Sequence, residues 1–226
     1  SNSSIYGGKG ADSFDFDRTI TGGLVSGDTG DDYIKVTGKI SGGAIIDGGD
    51  DDDTIVLNER ISNSTVLGGA AQDLVDVNNN SSSALIELGT DNDELNITGR
   101  HDQLIVKGEK GDDVFTLEAL LSGTKNEFYG GKHDDTVTLA SDAKLLISGD
   151  KGDDVITSTA AAVSEGATIS GGDGVDSVNL SLSVNGAEKF YVKGDGGDDT
   201  VTGSTGHDTI YGGKGNDSLL GGATGG

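Results

Sequence analysis

The chain predicts an all-β fold, a single-stack parallel β-solenoid (a β-roll or β-helix) with two strands in each coil of about 20 residues. Three observations predict it. One short acidic motif recurs twelve times at a nearly fixed period. Apolar residues hold constant offsets from the last aspartate of that motif. Glycine is abundant, at 40 of 226 residues, while Pro, Cys, Met and Trp are absent.

Read from glycine to aspartate, the motif is G-G/D/E-x-G-x-D, followed by x-apolar. Clear copies are Gly7-Gly8-Lys9-Gly10-Ala11-Asp12, Gly108-Glu109-Lys110-Gly111-Asp112-Asp113, Gly149-Asp150-Lys151-Gly152-Asp153-Asp154 and Gly212-Gly213-Lys214-Gly215-Asn216-Asp217. The final aspartates are Asp12, Asp32, Asp53, Asp73, Asp93, Asp113, Asp135, Asp154, Asp176, Asp199, Asp208 and Asp217. The first ten are 19 to 23 residues apart and the last three are nine apart. A period of this length marks coils stacked on one another. The whole of 1–226 reads as one continuous module, with coils of about 20 residues over 1–193 and tandem nonapeptides over 194–226.

Within a coil the strands follow from offsets. Seven residues before the aspartate stands an apolar residue, as in Val25, Ile46, Val66, Ile86 and Val106. Two after it come Phe14, Ile34, Ile55, Val75 and Leu95, and four after it Phe16, Val36, Leu57, Val77 and Ile97. Alternation with period two is that of a strand with one buried face, and Val, Ile and Phe favour strands. Each coil therefore reads as strand, turn, strand, glycine turn, and the apolar rows face inward. About ten coils at roughly 4.8 Å each give a rod on the order of 50 Å long. No helix is needed: the alanine-rich stretch from Ser158 to Val163 reads as strand and turn. The second turn is irregular, as Thr37-Gly38-Lys39, Asn78-Asn79-Asn80-Ser81 and Ser122-Gly123-Thr124-Lys125-Asn126 share no chemical group. Chemistry is thus concentrated along one edge.

Composition narrows the function. Apolar residues make up 32%, enough for a thin solenoid and too few for a thick core. Absence of Cys excludes disulfides and thiolate metal sites. A net charge of −24, from 39 acidic and 15 basic residues, argues against nucleic acid and against anionic membranes. Ordered apolar rows argue against disorder. No apolar run is long enough to span a membrane, so no direct insertion is expected. With no signal segment at its start, the chain reads as a fragment of a longer protein.

Stacking sets the motif aspartates in a ladder. Two like charges about 5 Å apart repel by roughly 3 kcal/mol at an effective dielectric near 20. A row of such steps would unfold a thin solenoid, so a cation between successive coils is required. Calcium fits best, because it takes six to eight oxygen ligands in adaptable geometry, whereas magnesium demands an octahedron and zinc wants His or Cys. The motif aspartates are the candidate ligands. The motif glycines, among them Gly8, Gly10, Gly30, Gly111, Gly152, Gly197 and Gly215, let the turn aim backbone carbonyls inward. First-position Gly is present in eleven of twelve copies, and the fourth position is Gly in eight, with Asp51, Ala71, Asp91 and His133 in the rest. If Asp208 faces the other edge, eleven stacked motifs leave ten gaps, and about ten calcium ions nearly offset the −24 charge. At a dissociation constant of about 0.1 mM in about 1 mM calcium, each site contributes roughly 1.4 kcal/mol. The module is accordingly expected to be largely unfolded without calcium.

The motif resembles the calcium-binding nonapeptide of the RTX (repeats-in-toxin) family, most closely over Gly194 to Leu220. That resemblance implies a parallel β-roll, calcium between coils, and export by type I secretion to the extracellular space or cell surface. This chain departs from it by carrying the motif on one edge only until Asp199, so one calcium row is expected, with Asp208 the start of a second; the next copy has Gly226 at the aspartate position. Catalysis is not expected: Arg18, Arg60 and Arg100 lie in the irregular turn, His101 stands in a packing row with Ile20, Ile40, Ile61 and Leu121, and His133 and His207 lie in motif turns. Ice binding is disfavoured by the mixed row Lys9, Thr29, Asp50, Ala70, Thr90, Lys110 and Lys132. The preferred reading is a structural module of a surface-layer protein, with self-association in a lattice and contact with cell-surface polysaccharide. An RTX adhesin stalk, or the calcium-folding module of a secreted enzyme or toxin, is the alternative.

Overall fold

The computed structural model describes residues 3–121, 126–140, 145–159, 167–181 and 190–222. Its elements are strands, and no helix occurs among the described residues. Among the described residues, two parallel sheets of eleven strands each run along the stack. The first begins with Ser4–Lys9 and ends with Thr209–Lys214, and its strands lead into the motif turn. The second begins with Ser13–Phe16 and ends with Ser218–Leu220, and its strands leave that turn. Within each sheet a strand pairs in parallel with the equivalent strand one coil on.

Register follows the apolar offsets. In the first sheet Ile46, Val66, Ile86, Val106 and Phe128 are successive partners. In the second, Ile34, Ile55, Val75, Leu95 and Phe115 are. A one-residue slip would turn every inner side chain outward, so burial fixes the register. All of these residues are fully buried or within 1% of it. The four-after row is buried from Val36 to Leu139, with Phe16 of the first coil partly buried, and Ser158, its polar exception, is also buried within the strand Val155–Ser158. Residues 160–166 of the alanine-rich stretch lie outside the described residues.

Two features go beyond two strands per coil. A short third ladder links Ile20–Thr21, Ile40–Ser41, the starts of Ile61–Ala70 and Ser81–Thr90, and the ends of Glu94–Asp102 and Val114–Leu121. Its inward residues are Ile40, Ile61, Ser81 and His101; the side chain of Leu121 lies outside the described residues. An additional inner row stands nine residues before the eight ladder aspartates from Asp53 to Asp199: Ala44, Ser64, Ala84, Leu104, Asn126, Leu145, Ala167 and Phe190, all buried. Small residues fill it at 44, 64 and 84 and larger ones at 104, 126 and 145, and Asn126 satisfies itself by accepting from Leu104 N–H and donating to the His101 carbonyl.

The second turn has a backbone regularity that its composition hides. Gly22, Gly42, Asn63, Ser83 and Gln103 all have left-handed φ, between 46° and 71°. Each stands ten residues after a ladder aspartate. Gly and Asn adopt this conformation most readily, and Ser83 and Gln103 adopt it where their side chains bond each other at 2.7 Å.

Candidate metal centre

The motif turn joins the two sheets by bending twice. Its second and fourth residues both take left-handed backbone in every ladder coil. Gly8, Gly10, Gly30, Gly111, Gly152, Gly197 and Gly215 occupy such positions, with φ from 96° to 142°. The non-glycine copies obey the same geometry: Asp51, Ala71, Asp91 and His133 have φ of 77° to 79°. Asp tolerates this region well, whereas Ala71 is strained in it.

The two bends turn the motif aspartate into the coil rather than out to solvent. Asp32, Asp53, Asp73, Asp93, Asp113, Asp135, Asp154, Asp176 and Asp199 are at most 2% exposed. Asp12 and Asp217, in the end coils, are half-buried. One carboxylate oxygen, Oδ1, accepts a hydrogen bond from the backbone N–H of the ladder aspartate one coil earlier. Ten such bonds, 2.6 to 3.1 Å long, run unbroken from Asp12 N–H to Asp217 Oδ1. The other oxygen, Oδ2, is buried and unpartnered in ten aspartates, from Asp12 through Asp199.

Opposite nine of these ten oxygens stands the first motif glycine; the tenth, of Asp93, has Leu88 at that position. A Cβ at Gly7, Gly27, Gly48, Gly68, Gly108, Gly130, Gly149 or Gly194 would lie 2.0 to 2.7 Å from Oδ2 of its own motif. It would also lie 2.3 to 2.7 Å from the carbonyl oxygen of the equivalent residue one coil on. The missing side chain therefore leaves a small space between a carboxylate oxygen and a carbonyl oxygen of adjacent coils. Both are hard oxygen ligands of the kind calcium takes. Among the described residues no three or more His, Cys, Asp or Glu side chains converge on one point. Each ladder coil brings one motif carboxylate to this edge, and the oxygen facing it from the next coil is a backbone carbonyl at the eight glycines named above.

Electrostatics marks the row as unsatisfied. Burial pushes Asp53, Asp73 and Asp154 up to about 7, Asp93 and Asp135 up to about 8, and Asp113 and Asp176 up to about 6. Burial raises Asp32 and Asp199 as well. In each case the N–H bond from the preceding ladder aspartate opposes the rise, and neighbouring carboxylates add to it. An unpartnered buried carboxylate oxygen is among the costliest groups a protein can hold. Ten in one row fit a cation-binding edge.

Sequence reasoning missed a second polar row at the rim of the same turn. The residue before the ladder aspartate is exposed, and its side chain accepts from the backbone one coil on. Gln72 N–H donates to Asp52, Asp112 to Asn92, Asp134 to Asp112, Asp153 to Asp134, Val175 to Asp153 and Asn216 to Asp198. The signal was present: this position is Asp or Asn in eight of the eleven ladder coils.

Asp208 stands apart from the ladder, in the row of Asn126 and Phe190 at the opposite edge. Its oxygens accept from Phe190 N–H, Ser204 N–H and the Ser204 hydroxyl at 2.7 to 3.1 Å. Gly226 lies outside the described residues. His101 is a core residue: its Nδ1 accepts from the Ser81 hydroxyl at 2.8 Å, its Nε2 donates to the Thr98 carbonyl at 2.9 Å, and burial lowers its pKa. His133 and His207 are exposed. Arg60 bonds the Ser82 hydroxyl, and Arg18 lies 3.9 Å from its neighbour Asp17.

Among known protein families, the chain matches the RTX calcium-binding nonapeptide repeat in four copies, over residues 1–18 and 193–224. No curated protein and no solved structure matches it. The matched segments are the two ends of the solenoid, and the coils between them carry the same ladder on a more varied sequence.

Proposed function

From a chain that carries RTX calcium-binding nonapeptide repeats, we propose a calcium-stapled structural rod of a secreted bacterial surface protein. The observation that carries this reading is the row of ten buried, unpartnered carboxylate oxygens, nine of them beside a first-position glycine of the same edge. Ladder aspartates would supply one carboxylate per site, and first-position residues would supply carbonyl oxygens. Calcium held there would neutralise the charge of the row. Up to ten ions per chain follow from ten such oxygens. Asp208, with its oxygens already bonded, stands outside the set.

Export by type I secretion and an extracellular site of action accord with the repeat family. A surface-layer role is supported by the continuous ladder and by the net charge of −24. Calcium would then hold the rod itself and allow copies of it to pack into a lattice despite their like charge. Catalysis has no residues assigned to it in this reading.

Equilibrium dialysis against calcium, with magnesium as control, tests the binding step. Several calcium ions per chain at sub-millimolar to millimolar concentration, and far weaker magnesium uptake, are expected. Equal uptake of the two metals would contradict the assignment. Electron microscopy with and without calcium tests the lattice: ordered arrays that form with calcium and dissolve in EDTA are expected, and a dispersed monomer in both would remove the surface-layer reading.

A further inference from the structure

Ten of the eleven ladder coils have glycine at the first motif position, and one has leucine, Leu88. Elsewhere the missing Cβ leaves the gap between Oδ2 and the next carbonyl oxygen. The strand register sets Leu88 level with Gly68 and Gly108, so its side chain leaves the backbone in that direction. Leu88 lies in the strand Ser81–Thr90, is fully buried, and belongs to the continuous apolar core. Asp93, the aspartate of the same motif, still has a buried and unpartnered Oδ2. Its neighbour in place of the gap is hydrocarbon, which offers no ligand to a cation that takes six to eight oxygens.

We propose that the coil of Asp93 takes no calcium, so that Leu88 divides the row into two separate sets of sites. This rests on the calcium reading above. One set runs from Asp12 to Asp73 and the other from Asp113 to Asp199. Only the pocket is interrupted. The hydrogen-bonded ladder passes through Asp93 intact, from Asp73 N–H at 2.8 Å and on to Asp113 at 2.9 Å. The pocket one coil earlier is also preserved, because the Leu88 carbonyl oxygen lies 2.4 Å from where a Gly68 Cβ would be. Leu88 acts there through its backbone as the glycines do. The apolar plug exchanges one ion for buried hydrocarbon at the middle of the rod.

Bound calcium per chain, counted by native mass spectrometry at saturating calcium, tests this. Leu88→Gly is expected to bind one more calcium than the unaltered chain. Asp73→Asn is expected to bind at least one fewer, and Asp93→Asn the same number. An unchanged count in Leu88→Gly, or a loss in Asp93→Asn equal to that in Asp73→Asn, would overturn the plug. If Leu88→Gly does not fold, the two aspartate variants decide the matter alone. An unaltered chain that binds no calcium would instead overturn the calcium reading on which the plug rests, so the two failures are distinct.

Discussion

At the scale of single residues, the ladder aspartate has two tasks and the fold completes one of them. Oδ1 is satisfied by the neighbouring N–H, and Oδ2 is not. Asp113→Ala should therefore cost more than a surface change. It removes one ion ligand and strands the Asp93 N–H, which now bonds Asp113 Oδ1 at 2.9 Å. The stranded donor alone costs about 1–3 kcal/mol. Thermal unfolding in calcium should show a fall of several degrees; an unchanged melting curve would mean that Asp113 serves neither role. Ala71 tests the turn without touching a ligand. Its φ of 79° costs a residue with a Cβ about 1–2 kcal/mol, and glycine's greater freedom in the unfolded chain returns part of that. Ala71→Gly should thus stabilise the fold by about 0.5–1 kcal/mol, read by urea denaturation in calcium.

At the scale of the element, what repeats is a coil with inner rows rather than a sheet with a sequence-local hairpin. Val106 is the centre of such a row, fully buried between Ile86 and Phe128. Val106→Asp places an unpaired charge where no cation pocket exists, and should abolish folding even at saturating calcium. A folded Val106→Asp protein, by circular dichroism, would mean that the inner face has been misassigned. The rows on which this rests were legible in the sequence because Val, Ile, Leu and Phe recur at fixed offsets from an unmistakable aspartate. The row of Ala44, Ser64, Ala84, Leu104 and Asn126 was not, because its members share burial but neither size nor polarity. The left-handed residues of the second turn were hidden for a related reason: Gly42, Asn63, Ser83 and Gln103 have a backbone angle in common and nothing else. The ladder position itself was legible, but its inward orientation and its N–H to Oδ1 bonds were not, since backbone donors leave no trace in composition.

At the scale of the molecule, stability without metal should follow pH in an unusual direction. Ladder carboxyls have folded pKa values raised by burial to about 6 to 8, above the unfolded value near 3.9. Their contribution to the metal-free fold is fully present below about pH 4 and is lost as pH rises through about 6 to 8. In EDTA the protein should be more β-structured at pH 5 than at pH 8, with acid standing in for calcium. The opposite trend, loss of structure on acidification in EDTA, would count against a buried, unneutralised row. With calcium the sign reverses, because protons and the cation compete for the same carboxylates, and affinity should rise with pH.

Far-UV circular dichroism at pH 8, followed as calcium is added to the EDTA-treated protein with magnesium as control, tests the central claim most directly. A cooperative transition from coil to β-structure at sub-millimolar to millimolar calcium, absent with magnesium, is the predicted result. A protein fully β-structured in EDTA at that pH would contradict it, because ten buried carboxylates would then be tolerated with neither proton nor cation to neutralise them.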